Sequence, residues 1–264
     1  PQGQAPAAAK VPVDEELAWI PAWQLRRLFD RRKLSPLEYA QFLLNRIERH
    51  RDLGAFITVD GDYLIGQARI ASEQARGEAQ FLHGLPVSVK DLVCTKGLRT
   101  TFGSRIFADY VPDVDAVAVE KLRQAGGIVF AKTNTPEFGQ YFRTMNLVAS
   151  EALNPWDKSR TTGGSSGGAA AATAAGLGPL AVGTDGGGSV RLPSAFNGIF
   201  GLKASRGRIP NGAGPFANPN SALGPMTRDV RDAAMLLQVM ACVDARDPFS
   251  MHSAPPNYLG DLEK

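Results

Sequence analysis

The chain has 264 residues, 44% of them hydrophobic, with 29 Lys plus Arg against 26 Asp plus Glu and a net charge of +3. That is apolar material for a large core in one big domain or two small ones, which excludes disorder as the default state. The near balance of charge, without any long basic run, argues against a nucleic-acid partner, and the lack of an apolar stretch of about 18 residues argues against a membrane span.

In chain order, residues 1–20 read as a disordered or extended leader, since Pro1 to Lys10 offers neither an initiator Met nor an apolar signal core. Residues 21–264 then read as one domain. Pro21 to Phe29 and Ser35 to His50 predict helices, the second opening on Ser35-Pro36-Leu37-Glu38: a cap, a proline at the first helical position and a glutamate that returns to the cap. The dense basic patch from Arg26 to Lys33 is the solvated face and end of the first. Tyr63 to Arg76 predicts a further helix ending near Gly77. Alternation at Leu85, Val87 and Val89 then predicts a strand with Lys90 at its C-terminal end.

Asp115 to Gln124 predicts a helix stopped by Gly126 and Gly127, followed by a strand from Ile128 to Ala131 and a polar loop from Lys132 to Pro136. The alanine-rich Gly168 to Ala175 predicts a closely packed helix with Ser165 and Ser166 at its positive N-terminal end. Leu180 to Val182 predicts a short strand, Thr184 to Ser189 a shaped glycine loop, Pro193 the opening of the next helix, and Val230 to Cys242 a last helix. Strands alternating with helices point to an α/β sheet.

Cys94 and Cys242 make neither a disulfide framework nor a CxxC pair, so a reducing compartment, the cytoplasm, is expected. His50, His83 and His252 are scattered outside any HExxH pattern, so no metal and no cofactor is expected.

Three blocks carry the chemistry: Gly84 to Asp91, Gly163-Gly164-Ser165-Ser166-Gly167-Gly168, and Gly183 to Arg191. A serine becomes a nucleophile when a base takes its proton, and a lysine is that base only where its surroundings keep it neutral near pH 7. Glycines beside both serines allow backbone amides to approach an oxyanion. Other readings of the Gly163 block are a flexible linker, a phosphate-cradling nest, or the GxSxG elbow of an α/β-hydrolase with Ser165 as nucleophile and His252 as base. The nest lacks a GxxxxGK[ST] or GxGxxG frame.

Taken together, the Pro86-Val87-Ser88-Val89-Lys90-Asp91 strand, the Gly-Gly-Ser-Ser-Gly-Gly block and the Gly-Thr-Asp-Gly-Gly-Gly-Ser block resemble the three hallmark motifs of the amidase signature family. The likeness runs from about Ala22 to Val243 and includes Ala131 to Asn134, Phe196 to Lys203 and Gly224 to Arg228. It implies a mixed β-sheet covered on both faces by helices. It also implies an amidase that cleaves a small-molecule carboxamide through an acyl-enzyme. Ser189 would be the nucleophile, Ser165 the relay and Lys90 the base, with Gly186, Gly187, Gly188 and Ser189 amides as the oxyanion hole. Ser166, Asp185 and Arg191 would lend support, the last two as a pair bracing the loop.

Two departures accompany the resemblance. Ala204-Ser205 stands where family members commonly have Pro-Thr. Members also continue well past this length, so the chain is expected to be truncated, processed or partnered, with a second chain or a missing C-terminal segment completing the fold; a homodimer is a separate expectation. A rival within the family is the glutaminase component of glutamyl-tRNA amidotransferase, its A subunit, although Leu192-Pro193-Ser194 differs from the Gln-Pro-Ala usual there.

Overall fold

In the computed structural model, which describes residues 14–74, 80–212 and 220–262, one six-stranded mixed sheet organises the chain. In chain order its elements are helices α1 (Asp14–Leu17), α2 (Ala22–Asp30) and α3 (Pro36–Arg49), strand β1 (Phe56–Val59), helix α4 (Gly61–Glu73), strand β2 (Pro86–Lys90), helix α5 (Val117–Gln124) and strand β3 (Ile128–Thr133). Helix α6 (Gly167–Ala174), strand β4 (Leu180–Asp185), helix α7 (Arg191–Asn197), strands β5 (Phe200–Gly201) and β6 (Ala222–Thr227), and helices α8 (Val230–Met240) and α9 (Tyr258–Asp261) follow.

The strands lie in the order β1-β3-β2-β4-β6-β5. Strands β3, β2 and β4 are mutually parallel, and β1, β6 and β5 run against their neighbours. Nearly every residue of β2, β3, β4 and β6 is buried, so both faces of the sheet are covered, as parallel strands require. Helix α6 packs across β1, β2, β3, β4 and β6, whereas α4 and α5 pack on β3 and α8 on β4, β5 and β6.

Local signals explain most boundaries. Ser35 and Glu38 form the full capping box at α3: the Glu38 amide donates to Ser35 Oγ at 3.1 Å and the Ser35 amide to Glu38 Oε2 at 2.8 Å. Helix α6 is entirely buried because alanine and glycine let it lie close to its neighbours. A Cβ on Gly168 would come within 2.2 Å of the Asn134 nitrogen. Helix α2 has no capping side chain of its own. Asp232, in α8, accepts from the Ala22 amide at 2.7 Å and the Trp23 amide at 2.9 Å.

The structure differs from the sequence expectation at several edges. Residues 1–13 of the expected leader lie outside the described residues, but α1 and the buried Leu17 and Ala18 show that packing begins before residue 20. Helix α4 stops at Glu73, short of Arg76, and Gly77 lies outside the described residues. Strand β3 takes Lys132 and Thr133 from the expected loop, and β4 takes Thr184 and Asp185 from the expected glycine loop, because ladder pairing to β2 and β6 continues there. Pro193 is the third residue of α7 and not its first.

Strands β1 and β6 carry no strong sequence signal. Pro225 sits within β6 opposite Val182, and its carbonyl accepts from the Leu202 amide. Its ring nitrogen faces that same side, just past the last residue of β5, so the missing donor falls at the end of the ladder and not in its middle.

Candidate active site

The parallel strands β2 and β4 end side by side, and the C-terminal ends of such strands are where open α/β sheets place ligands. Lys90, the last residue of β2, is fully buried. Its Nζ lies 2.7 Å from Ser165 Oγ and 2.9 Å from Thr184 Oγ1. Burial pushes the Lys90 pKa down to about 7, a shift that the charge of Asp185 partly opposes. Near neutral pH, therefore, a substantial share of Lys90 is free amine able to take a proton from Ser165. Asp91 does not pair with Lys90; its carboxylate accepts from the Thr101 amide at 3.0 Å, from Thr101 Oγ1 at 2.5 Å and from the Gly103 amide at 3.4 Å.

Ser165 follows a cis peptide bond from Gly164 and is buried just ahead of α6. Thr144 holds both ends of this loop: its hydroxyl donates to the Gly163 carbonyl at 2.9 Å and accepts from the Gly167 amide at 3.1 Å. Ser166 ties the second block to the third. Its amide donates to the Ser189 carbonyl at 3.1 Å, and its hydroxyl lies 3.2 Å from the Thr184 carbonyl.

The third block turns around Asp185. That carboxylate accepts from the amides of Gly188 at 2.7 Å, Val190 at 3.1 Å and Arg191 at 3.3 Å, and takes two bonds of 2.9 Å from the Arg191 guanidinium. Burial alone would raise the Asp185 pKa, but the Arg191 bonds and these amides outweigh it and hold the group at about 2. The Gly188 amide is thereby engaged. Among the described residues no acceptor is bonded to the amides of Gly186, Gly187 or Ser189.

Ser165, Ser189, Gly186 and Gly187 line one cavity of about 670 Å³. No hydrogen bond joins the two serine hydroxyls among the described residues; what unites them is the shared cavity wall. Cys94, a free thiol that burial makes harder to ionise, also reaches this wall. His252 is exposed and does not line the cavity, and a loop rather than a strand precedes Ser165, so neither the base nor the context of an elbow hydrolase is present. Among the described residues there is no cluster of metal-ligating side chains, and no helix is long and apolar enough to cross a membrane.

Sequence reasoning assigned no part to Thr184, Thr144, Phe102 or Phe138. Thr184 stands inside a block already singled out, so its place beside Asp185 was the available signal. Thr144 offers none beyond being a polar residue that the fold buries.

The amidase family model matches residues 38–261. The chain is 43% identical over 243 residues to the A subunit of glutamyl-tRNA(Gln) amidotransferase from Burkholderia pseudomallei (strain 668), covering 91% of this chain and 49% of that one. Its structure is similar to that of a 6-aminohexanoate cyclic dimer hydrolase, with a TM-score of 0.86, 30% identity, and coverage of 94% of this chain and 52% of the other. It is also similar to a bacterial aryl acylamidase of the amidase signature enzymes, with a TM-score of 0.86, 31% identity, and coverage of 94% and 52%. The chain spans about half the length of these relatives.

Proposed function

The chain belongs to the amidase family, and from that premise we propose that it carries the reacting groups of an enzyme that hydrolyses a carboxylic acid amide to the acid and ammonia or an amine. The observation that carries this reading is the buried 2.7 Å contact between Lys90 and Ser165, with Ser165 and Ser189 opening into one cavity. We read residues 21–264 as the N-terminal and central part of the family's domain, completed by a further segment or chain. With both cysteines free, its place is a reducing compartment such as the cytoplasm.

In the proposed reaction the Ser189 hydroxyl proton passes to Ser165 Oγ as the Ser165 proton passes to neutral Lys90. Ser189 Oγ bonds to the amide carbon, and the carbonyl oxygen takes up negative charge. The amides of Gly186, Gly187 and Ser189 receive that charge, each donor being worth roughly 3 kcal/mol of barrier. The Gly188 amide, already bonded to Asp185, shapes the turn instead. The C–N bond then breaks while Lys90, through Ser165, returns a proton to the leaving nitrogen. Water repeats the cycle on the acyl-enzyme and releases the acid. No step calls for a metal or cofactor.

A fluorophosphonate, which reacts with serines already activated, tests this reading by peptide mapping. The expected result is an adduct on Ser189 that disappears in Lys90→Ala. An adduct on Ser165 in its place would overturn the assignment. The identity to the glutamyl-tRNA(Gln) amidotransferase chain supports a second reading, in which glutamine is the amide and a partner complex receives the ammonia. Release of glutamate from glutamine in preference to other amides would favour it.

A further inference from the structure

Thr144 is completely buried, and its hydroxyl makes one bond at each end of the loop that presents Ser165. It donates to the Gly163 carbonyl and accepts from the Gly167 amide. Gly167 opens α6, so its amide is one of those that find no partner inside the helix. A hydroxyl can give and take a hydrogen bond at once, which both ends of this loop require. The fit is close: a Cβ on Gly167 would lie 2.2 Å from Thr144 Oγ1 and 2.3 Å from Thr162 Oγ1.

Thr144 is itself fixed from outside the loop. Its carbonyl accepts from the Ala152 amide at 3.0 Å, and Arg143 beside it pairs with Glu151. Two residues on, the Asn146 side chain donates to Asn134 Oδ1 at 2.7 Å and to the Thr135 carbonyl at 2.8 Å. The Asn134 carbonyl in turn accepts from the Gly168 amide at 3.2 Å, tying the end of β3 to the first turn of α6. The run from Tyr141 to Thr144 also lies against Gly164, where a Cβ would come within 2.7 Å of the Tyr141 carbonyl oxygen and 3.0 Å of the Arg143 nitrogen. Backbone placement aims the Ser165 side chain, and this one segment sets that placement on both sides of the serine.

We propose that Thr144 is a positioning residue for the proton relay: by spanning Gly163 and Gly167 it holds Ser165 Oγ within reach of Lys90 on one side and of the cavity on the other. Being completely buried, Thr144 acts on a substrate only through Ser165, so its loss should slow proton transfer and leave binding as it was. The proposal rests on the amidase reading above and deepens it.

The test is saturation labelling of Ser189 in the full-length protein by a fluorophosphonate, which separates a half-saturating concentration from a maximal rate constant. Rates are counted per folded molecule, with the folded fraction read from circular dichroism. Thr144→Val keeps the branched shape and removes the hydroxyl. It should lower the maximal rate constant about tenfold or more at an unchanged half-saturating concentration, because a misplaced relay costs rate and not affinity. Thr144→Ser restores the hydroxyl and should recover the rate to within about threefold of the parent. Thr162→Val is the comparison: Thr162 is just as buried and its hydroxyl donates to the same Gly163 carbonyl at 3.1 Å, but that carbonyl keeps Thr144 as a donor, so most of the rate should remain. Thr144→Cys, whose thiol is a weak hydrogen-bond partner, is read in the same way where Thr144→Val does not fold. If Ser189 of the parent is labelled and the Thr144 variant matches the parent, changes only half-saturation, or falls no further than Thr162→Val, the positioning role fails and the amidase reading stands. If Ser189 of the parent is not labelled, the amidase reading fails and the proposal with it.

Discussion

Lys90 Nζ and Ser165 Oγ lie 2.7 Å apart although 75 residues separate them in the chain. The contact is made where β2 ends and α6 begins, and burial holds the Lys90 pKa at about 7. A base must be neutral to act, so kcat/KM for an uncharged amide should rise tenfold per pH unit below about 7 and level off above it. Lys90→Arg, whose guanidinium stays charged, should lose roughly 10²–10⁴ in rate at every pH. A profile that is flat through neutrality would contradict the proposed role of Lys90 as base.

The same group sets a pH dependence of stability. With a pKa of about 7 in the fold against 10.5 for the free side chain, the unfolded chain binds more protons between these values. Lys90 therefore favours folding increasingly as pH rises through that window, and below it the fold bears the whole cost of a buried ammonium. Lys90→Met should gain thermal stability relative to the parent as pH falls from about 9 to about 6. Melting curves across that range check the sign.

Asp185 receives three backbone amides as well as the Arg191 guanidinium. Arg191 is half exposed, so Arg191→Ala should cost on the order of 1 kcal/mol and leave the turn in place. Asp185→Ala strips all the amides of their acceptor and should lower activity at least tenfold more than Arg191→Ala. Equal losses would mean that the ion pair, and not the carboxylate, shapes the loop.

Two glycine-to-alanine changes in helices should move stability in opposite directions. Gly66 in α4 is exposed with open space around it, and Gly66→Ala should stabilise by up to about 1 kcal/mol. Gly168 in α6 faces backbone atoms of Asn134 and Ala55 at 2.2 and 2.5 Å from a Cβ, so Gly168→Ala should destabilise strongly. Denaturant titrations of both variants decide the matter.

Burial raises the Asp232 pKa to about 6 even though the Ala22 and Trp23 amides draw it down. A folded pKa above the unfolded 3.8 means that this group's contribution to stability declines as pH rises from about 4 to about 6. Asp232→Ala should cost about 2 kcal/mol by orphaning both amides. Asp232→Asn should cost less and flatten the slope with pH.

The elements legible in the sequence are those whose information is local. The α3 capping box, the alternation before Lys90 and the alanine run of α6 each contain their own instructions. The pairing of Asp185 with Arg191 was legible too, since six residues separate them. Strand β6 was not: a ladder residue such as Pro225 becomes acceptable only because β5 stops beside it. Thr144 and Asp91 likewise acquire their roles from loops that the chain brings to them, and no spacing in the sequence encodes that. The left-handed turns at Phe102 and Phe138 were hidden for the same reason, because they contradict local preference and are held by neighbours.

The cap that Asp232 places on α2 also has a consequence in time. The acceptor leaves the ribosome some 210 residues after the amides it will bind, a delay of roughly 10–40 s at about 5–20 residues per second. Until then the Ala22 and Trp23 amides have only water to accept from them, and the start of α2 lacks its cap. The arrival of α8 closes it, so a helix made early becomes secure only once one made some 210 residues later is in place.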